Sequence, residues 1–239
     1  MVPEPQGAAV IEGFTKSLGQ TVIGDPFDKA TQMGPLVSQA QRRDVLEKLA
    51  LIEQDATRIF GDPDAFQVSG ADRKKGAFVP PMLFHCEAPD TAQFVHDVEA
   101  FGPVSTIMPY RDLDHALDLT NKGAGSLVAS MITNDGDFAR NAVLSAGAFH
   151  GRLYFNNRQS MTESTGHGSP LPHMVHGGPG RAGGGEELGG VRGVLHYMQR
   201  TAVQGSPDIL TRISRKWTAG SAEVTRDAHP FTRTFHELE

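Results

Sequence analysis

The sequence predicts an α/β domain built on a mainly parallel sheet, and three observations lead there. Apolar, partly β-branched runs at Val104–Tyr110, Leu127–Thr133 and Leu153–Phe155 have strand length. Between them lie two segments with helical apolar spacing, each preceded by a capping residue: Asp112 before Leu113, Ala116, Leu117 and Leu119, and Asn134 before Phe138, Val143 and Leu144. The order strand, helix, strand, helix, strand places helices on the faces of a parallel sheet.

Upstream, Pro5 to Leu18 reads as a helix with Ala9, Val10, Phe14 and Leu18 near one face. Val22-Ile23-Gly24-Asp25-Pro26 is a turn. Ser38-Gln39-Ala40-Gln41 reads as a capping box: the Ser38 hydroxyl caps the first turn and Gln41 reaches back. Val45, Leu46, Leu49 and Ile52 carry that helix onward. Residues 56–60 and 78–84 read as short strands around the turn-rich segment Gly61 to Gly76. From Asn156 to Gly193 periodicity is weak and Gly, Pro and His abound, and loops of that length are usually functional. Nine of the 27 glycines fall between Gly177 and Gly193, which suggests a backbone that approaches something closely. A short helix is expected near Glu186 to Val194, followed by a polar tail. The division expected is one domain over 1–205 and an arm and linker over 206–239.

Composition narrows the classes. The chain has 239 residues, 38% hydrophobic and 21% charged, as an ordinary globular protein has. A net charge of −6 argues against nonspecific attraction to nucleic acid or an anionic membrane. No apolar run is long enough for a transmembrane helix, and the N-terminus does not read as a secretory signal. The one cysteine, Cys86, fits a reducing, cytoplasmic setting and reads as a buried apolar thiol. His167, His173 and His176 match no zinc spacing, so no metal is expected.

Glu99-Ala100-Phe101-Gly102-Pro103-Val104 lies between a loop and a strand. A carboxylate there could accept hydrogen bonds from a ribose diol, and the neighbouring aromatic could pack on a planar ring. By residue type alone the plainer reading is a turn before a strand.

Taken with three other segments in order, the motif resembles the aldehyde dehydrogenase superfamily. These are Gly24-Asp25-Pro26 with Met33-Gly34-Pro35-Leu36-Val37-Ser38, then Leu127-Val128-Ala129-Ser130 to Thr133-Asn134-Asp135, then the glycine loop Gly177 to Gly189. The resemblance implies the C-terminal portion of a three-layer catalytic domain without its dinucleotide-binding domain. It implies that Glu99 binds the ribose beside the nicotinamide of NAD or NADP and that Phe101 packs near that ring. Two departures stand out. Ala100 replaces a larger apolar residue, and the glycine loop lacks the usual aromatic and lysine and carries Glu186 at a commonly basic position.

The loop His176-Gly177-Gly178-Pro179-Gly180-Arg181 is similar to the branch of that family acting on semialdehydes attached to coenzyme A, in phenylacetate or benzoate breakdown. That branch includes the dehydrogenase half of the bifunctional phenylacetate ring-opening enzyme. His229-Pro230-Phe231 resembles the junction before its enoyl-CoA hydratase domain. The implied reaction is oxidation of a CoA-linked semialdehyde to the acid. His173, His176 and Arg181 are candidates for the substrate entrance, and the family implies a homo-oligomer. The family mechanism needs a cysteine thiolate and a carboxylate base, and both are expected upstream of Met1. The chain alone is therefore expected to be inactive. The alternative reading is a noncatalytic binding or assembly module.

Overall fold

Met82-Leu83-Phe84 is a continuous apolar run, and in the computed structural model it forms a strand whose three side chains are fully buried. The structure describes residues 1–160, 162, 174–178, 180–186, 190–196, 198 and 202–222. A two-residue strand, β1 (Val2–Pro3), leads through a 3-10 turn into α1 (Gly7–Leu18). Then come α2 (Gln39–Ile52), β2 (Thr57–Phe60), β3 (Met82–His85), the short α3 (Phe94–Asp97), β4 (Val104–Ile107) and β5 (Pro109–Tyr110). The alternating part follows as α4 (Leu113–Lys122), β6 (Ser126–Ile132), α5 (Gly136–Ala146) and β7 (His150–Asn156). β8 (Val175–Gly177) and β9 (Gly184–Glu186) pair antiparallel, and α6 (Gly190–His196) and α7 (Pro207–Ser214) end the described chain. The chain divides into two units, Met1–Gly189 and Gly190–Glu239.

In the first unit β3 sits between β2, antiparallel, and β4, parallel, with Met82 opposite Val104 and His85 opposite Ile107. The expected single run over 104–110 breaks at Met108. β4 stays with β3, while β5 pairs in parallel with β1. Pro109 has no amide hydrogen with which to continue a ladder. β6 and β7 pair in parallel from Ser126 opposite His150 to Ile132 opposite Asn156. Among the described residues no ladder joins that pair to β4 or β5, so the anticipated sheet appears as separate parallel pairings.

α2 supplies Val45, Leu49 and Ile52 to the core, where they meet Val79, Met82, Phe84, Cys86 and Ala100. A smaller cluster joins Leu117 of α4 to Ala142 and Ala146 of α5, with Met131 and Phe155 of the β6–β7 pair against it. The alanines let α4 and α5 approach, whereas Val143 and Leu144 face out. The strand expected at 127–133 is open on one face: Ile132 is 87% exposed. α1 has no buried residue, and its expected inner Phe14 is exposed.

The caps account for the helix starts. Asp112 accepts the His115 amide at 2.9 Å, as its position predicts. Asp135, not Asn134, caps α5, accepting the amides of Asp137 and Phe138 at 2.9 and 3.0 Å. Asp135 directly precedes the first helical residue, so its carboxylate reaches both orphan amides at the positive helix end. Asn134 instead accepts the Arg158 amide at 3.5 Å. The helix expected from Glu186 begins at Gly190, because Glu186 pairs in β9 opposite Val175. In the second unit Ser206 caps α7 and Pro207 opens it. No helix among the described residues is long and apolar enough to cross a membrane.

Candidate functional site

The segment from Gln93 to Val104 is fixed from four sides, and that positions Glu99 and Phe101. At its start, one Asp55 carboxylate oxygen accepts the amides of Gln93, Phe94 and Val95, capping α3 from the turn after α2. In the middle, the Gln41 side-chain amide donates to the Phe101 carbonyl at 2.9 Å. Gly102 lies so close to α2 that a Cβ there would stand 2.8 Å from Val45 Cγ2. At its end the Met82 amide donates to the Pro103 carbonyl at 2.9 Å, and the β3–β4 ladder begins.

Side chains alternate along this segment. Ala100 is buried in the core, while Glu99 and Phe101 point outward. Phe101 has φ of 55°, a left-handed conformation that a bulky residue rarely adopts. The residue is 70% exposed. Such strain costs on the order of 1–3 kcal/mol and persists only where surrounding contacts impose it. Glu99 makes no ion pair or hydrogen bond among the described residues. Both line an open groove of about 500 Å³ between α2 and the 97–101 loop. Its other walls include Gln41, Asp44 and Lys48 of α2, with Lys48 paired to Asp44 at 2.9 Å, and Arg181.

Arg181 thus joins Glu99 and Phe101 at one groove, but its Nη2 is engaged by the protein itself. It donates to the carbonyls of His96 at 3.0 Å and Gly123 at 2.9 Å. The surrounding glycines serve close packing as well. A Cβ on Gly180, whose φ is +54°, would meet the Ala124 carbonyl oxygen at 2.6 Å, and one on Gly151 would meet that of Ala182 at 2.3 Å. The close approach read from the glycine cluster is therefore, at Gly180, to the chain's own backbone. His176 lies on β8, half-buried, with Nδ1 3.1 Å from where a Gly151 Cβ would stand, and it does not line the groove. His173 and His167 lie outside the described residues.

Cys86 is fully buried in the core, its amide bonded to the Ile107 carbonyl. Burial pushes its thiol pKa up, and the nearby Asp55 and Glu87 charges add to that, against a backbone hydrogen bond from Ala88. This suits packing rather than attack. Among the described residues no group of three His, Cys, Asp or Glu side chains could hold a metal ion. The α2 wall escapes a sequence reading that treats Gln41 only as a cap partner. Its signal is the spacing of Gln41, Asp44, Lys48 and Leu51, one helical face beside the buried one.

Comparison with known proteins agrees with this architecture. The aldehyde dehydrogenase family model matches residues 1–203. Protein MaoC of Klebsiella aerogenes is 51% identical over 208 residues, covering 87% of this chain and 60% of that protein. The 3,4-dehydroadipyl-CoA semialdehyde dehydrogenase of Aromatoleum evansii is 37% identical over 180 residues, covering 75% of this chain and 35% of its own. The chain thus spans less than two thirds of the length of these relatives. Among solved structures, aldehyde dehydrogenase C of Pseudomonas syringae, a C291A mutant complexed with NAD+ and octanal, superposes with a TM-score of 0.65 at 26% identity, over 83% of this chain and 37% of that one. The succinic semialdehyde dehydrogenase of Streptococcus pyogenes with NADP+ gives 0.62 at 22% identity, over 77% and 36%, a likeness of fold. With a family match over most of its length and an α/β fold of the same kind, the chain belongs to the aldehyde dehydrogenase family.

Proposed function

We propose that the groove holds the nicotinamide ribose of NAD or NADP, and that the protein carrying this chain oxidises a semialdehyde attached to coenzyme A to the corresponding acid. One observation carries the cofactor assignment. An aromatic ring is held out in water on a strained backbone, beside a carboxylate without a partner among the described residues. Glu99 offers acceptors to a vicinal diol, whose hydroxyls are donors, and the Phe101 ring offers a flat apolar face. The cofactor supplies the hydride acceptor when bound. This chain's part is to bind and orient it. Gln41 and Asp55 hold the loop still, so that little ordering remains for the ligand to induce.

The substrate class rests on the relative from Aromatoleum evansii, whose name gives a CoA-linked semialdehyde. We place the reaction in aromatic breakdown in the cytoplasm, carried out by a homo-oligomer, with His173, His176 and Arg181 toward the substrate entrance. The chain's one cysteine is in the core, so the 239 residues alone supply no thiolate to the groove. Aldehyde-dependent reduction of NAD or NADP by the purified chain, abolished by Cys86→Ser, would overturn that statement.

The cofactor reading is tested by NMR titration of the chain with NAD and with NADP. Saturable shifts at the Phe101 and Gly102 amides are expected, with affinity several-fold to about tenfold weaker in Glu99→Gln, since a hydrogen bond to a charged acceptor contributes about 1.5–3 kcal/mol and one to a neutral acceptor about 0.5–1.5. Equal affinity in Glu99→Gln rejects the assignment.

A further inference from the structure

Beyond the cofactor groove, we propose that a cationic cleft at the first turn of α2 binds the phosphate of a nucleotide-type ligand. The cleft has a volume of about 200 Å³ and is lined by Gln39, Arg42, Arg73, Lys74 and Gly76. Three cations therefore face one concavity in a chain whose net charge is −6.

None of the three is neutralised by the protein among the described residues. The ion pairs among the described residues lie elsewhere: Asp44 with Lys48, Glu53 and Asp62 with Arg58, Asp90 with Arg111 and His115. Arg42 Nε donates to the Phe78 carbonyl at 3.0 Å. Arg73 Nη1 donates to the Asp64 and Phe66 carbonyls at 2.8 and 3.3 Å, and its guanidinium lies over the Phe66 ring, 5.0 Å from the centroid. Those contacts orient both forks but leave their charges uncompensated, with further N–H groups to donate. Asp72, the nearest acid in sequence, accepts the Lys74 amide at 2.8 Å and does not line the cleft.

The walls are built to hold this arrangement. Ser38 caps α2, whose 14 residues end their positive pole at the cleft. The Gln39 side chain donates to the Lys75 carbonyl at 3.2 Å, tying the helix start to the loop that carries Arg73 and Lys74. Like charges gathered around a concave surface repel one another and focus anions. Two guanidinium forks and one ammonium match the oxygens of a phosphate monoester or diphosphate.

The same helix lines the cofactor groove through Gln41, Asp44 and Lys48, so one element serves both sites. The phosphate could come from the dinucleotide or from the coenzyme A end of the substrate. Naming the second source rests on the proposed semialdehyde reading; the cleft itself does not.

The test is NMR titration of the chain with inorganic pyrophosphate, adenosine 3′,5′-bisphosphate and NAD, read at the Gln39 and Gly76 amides. Saturable shifts are expected with pyrophosphate and the bisphosphate. Roughly tenfold weaker binding is expected in Arg73→Gln/Lys74→Gln, a several-fold loss in Lys74→Gln, and no change in Lys16→Gln on α1, as befits charge-assisted contacts. Tighter binding of the bisphosphate than of NAD supports the coenzyme A source. The reverse order keeps the anion site, assigns it to the dinucleotide and removes the coenzyme A arm. No saturable shift at these amides, or equal affinity in Lys74→Gln and in the double variant, overturns the proposal. Failure of the cofactor groove reads out separately, at Phe101 and Gly102.

Discussion

The Gln41 side-chain amide donates to the Phe101 carbonyl at 2.9 Å, across 60 residues of sequence. The bond fastens the strained Phe101 backbone to the first turn of α2. Gln41→Leu keeps the volume and removes the donor. We expect a loss of about 0.5–1.5 kcal/mol in urea unfolding, toward the lower end because the bond is exposed, together with faster hydrogen exchange at the Gly102 amide. Unchanged exchange there would show that the loop holds itself.

Gly102→Ala should destabilise more. The new methyl would stand 2.8 Å from Val45 Cγ2 and 3.0 Å from Cγ1, and Val45 is fully buried. Overpacking of this kind costs about 1–3 kcal/mol. Val45→Ala opens the same space, so the double variant should unfold at higher urea than the sum of the two single losses predicts. Strict additivity would mean that the two residues do not share the contact.

The sequence made the local elements plain and left the long-range ones hidden, for a physical reason. The Ser38 cap, the Asp112 cap and the buried face of α2 depend on neighbours within a turn, and spacing records them. The Gln41 side chain reads as half of a capping box, yet it is used 60 residues away. Asp55 caps α3 from 38 to 40 residues upstream, which no local pattern records. Glu99 and Phe101 stand out through a motif resemblance, because an exposed carboxylate beside an exposed ring has no periodicity of its own. Arg181 carries no sequence mark of the carbonyls it bonds.

Stability should fall as pH falls, in two separate windows. Burial holds the His150 pKa below its ordinary value, so between that lowered pKa and the unfolded value of about 6.5 the unfolded chain binds more protons. Stability is then lost as pH drops below about 6.5, down to the folded pKa. Asp90 is held low chiefly by its hydrogen bond from Arg111, with the His115 and Arg111 charges and a His115 hydrogen bond assisting, against some desolvation. Its contribution is present above the unfolded value of about 3.9 and lost as pH falls through the folded pKa. Urea midpoints measured from pH 7.5 to 3 should decline first in the upper window. Asp90→Asn should flatten only the acid limb, and a profile unchanged by it would remove Asp90 from the account.

Arg181 gives the last prediction, because its two readings separate cleanly. Its Nη2 bridges the carbonyls of His96, in α3, and Gly123, the cap residue after α4. A guanidinium beside the carbonyl that ends α4 is favoured by that helix's dipole. It thereby clamps the β8–β9 hairpin loop onto the segment that leads to Glu99. Arg181→Ala should cost about 1–3 kcal/mol, since it leaves two carbonyls without their charged donor. Hydrogen exchange should quicken from His96 to Gly102. Arg181→Lys should fall between, because one ammonium on a shorter reach satisfies one carbonyl better than two. If Arg181 instead served only a substrate at the entrance, Arg181→Ala would leave the urea midpoint and the exchange of 96–102 unchanged and weaken binding alone. Measuring both on the ligand-free chain decides between a clamp and a contact.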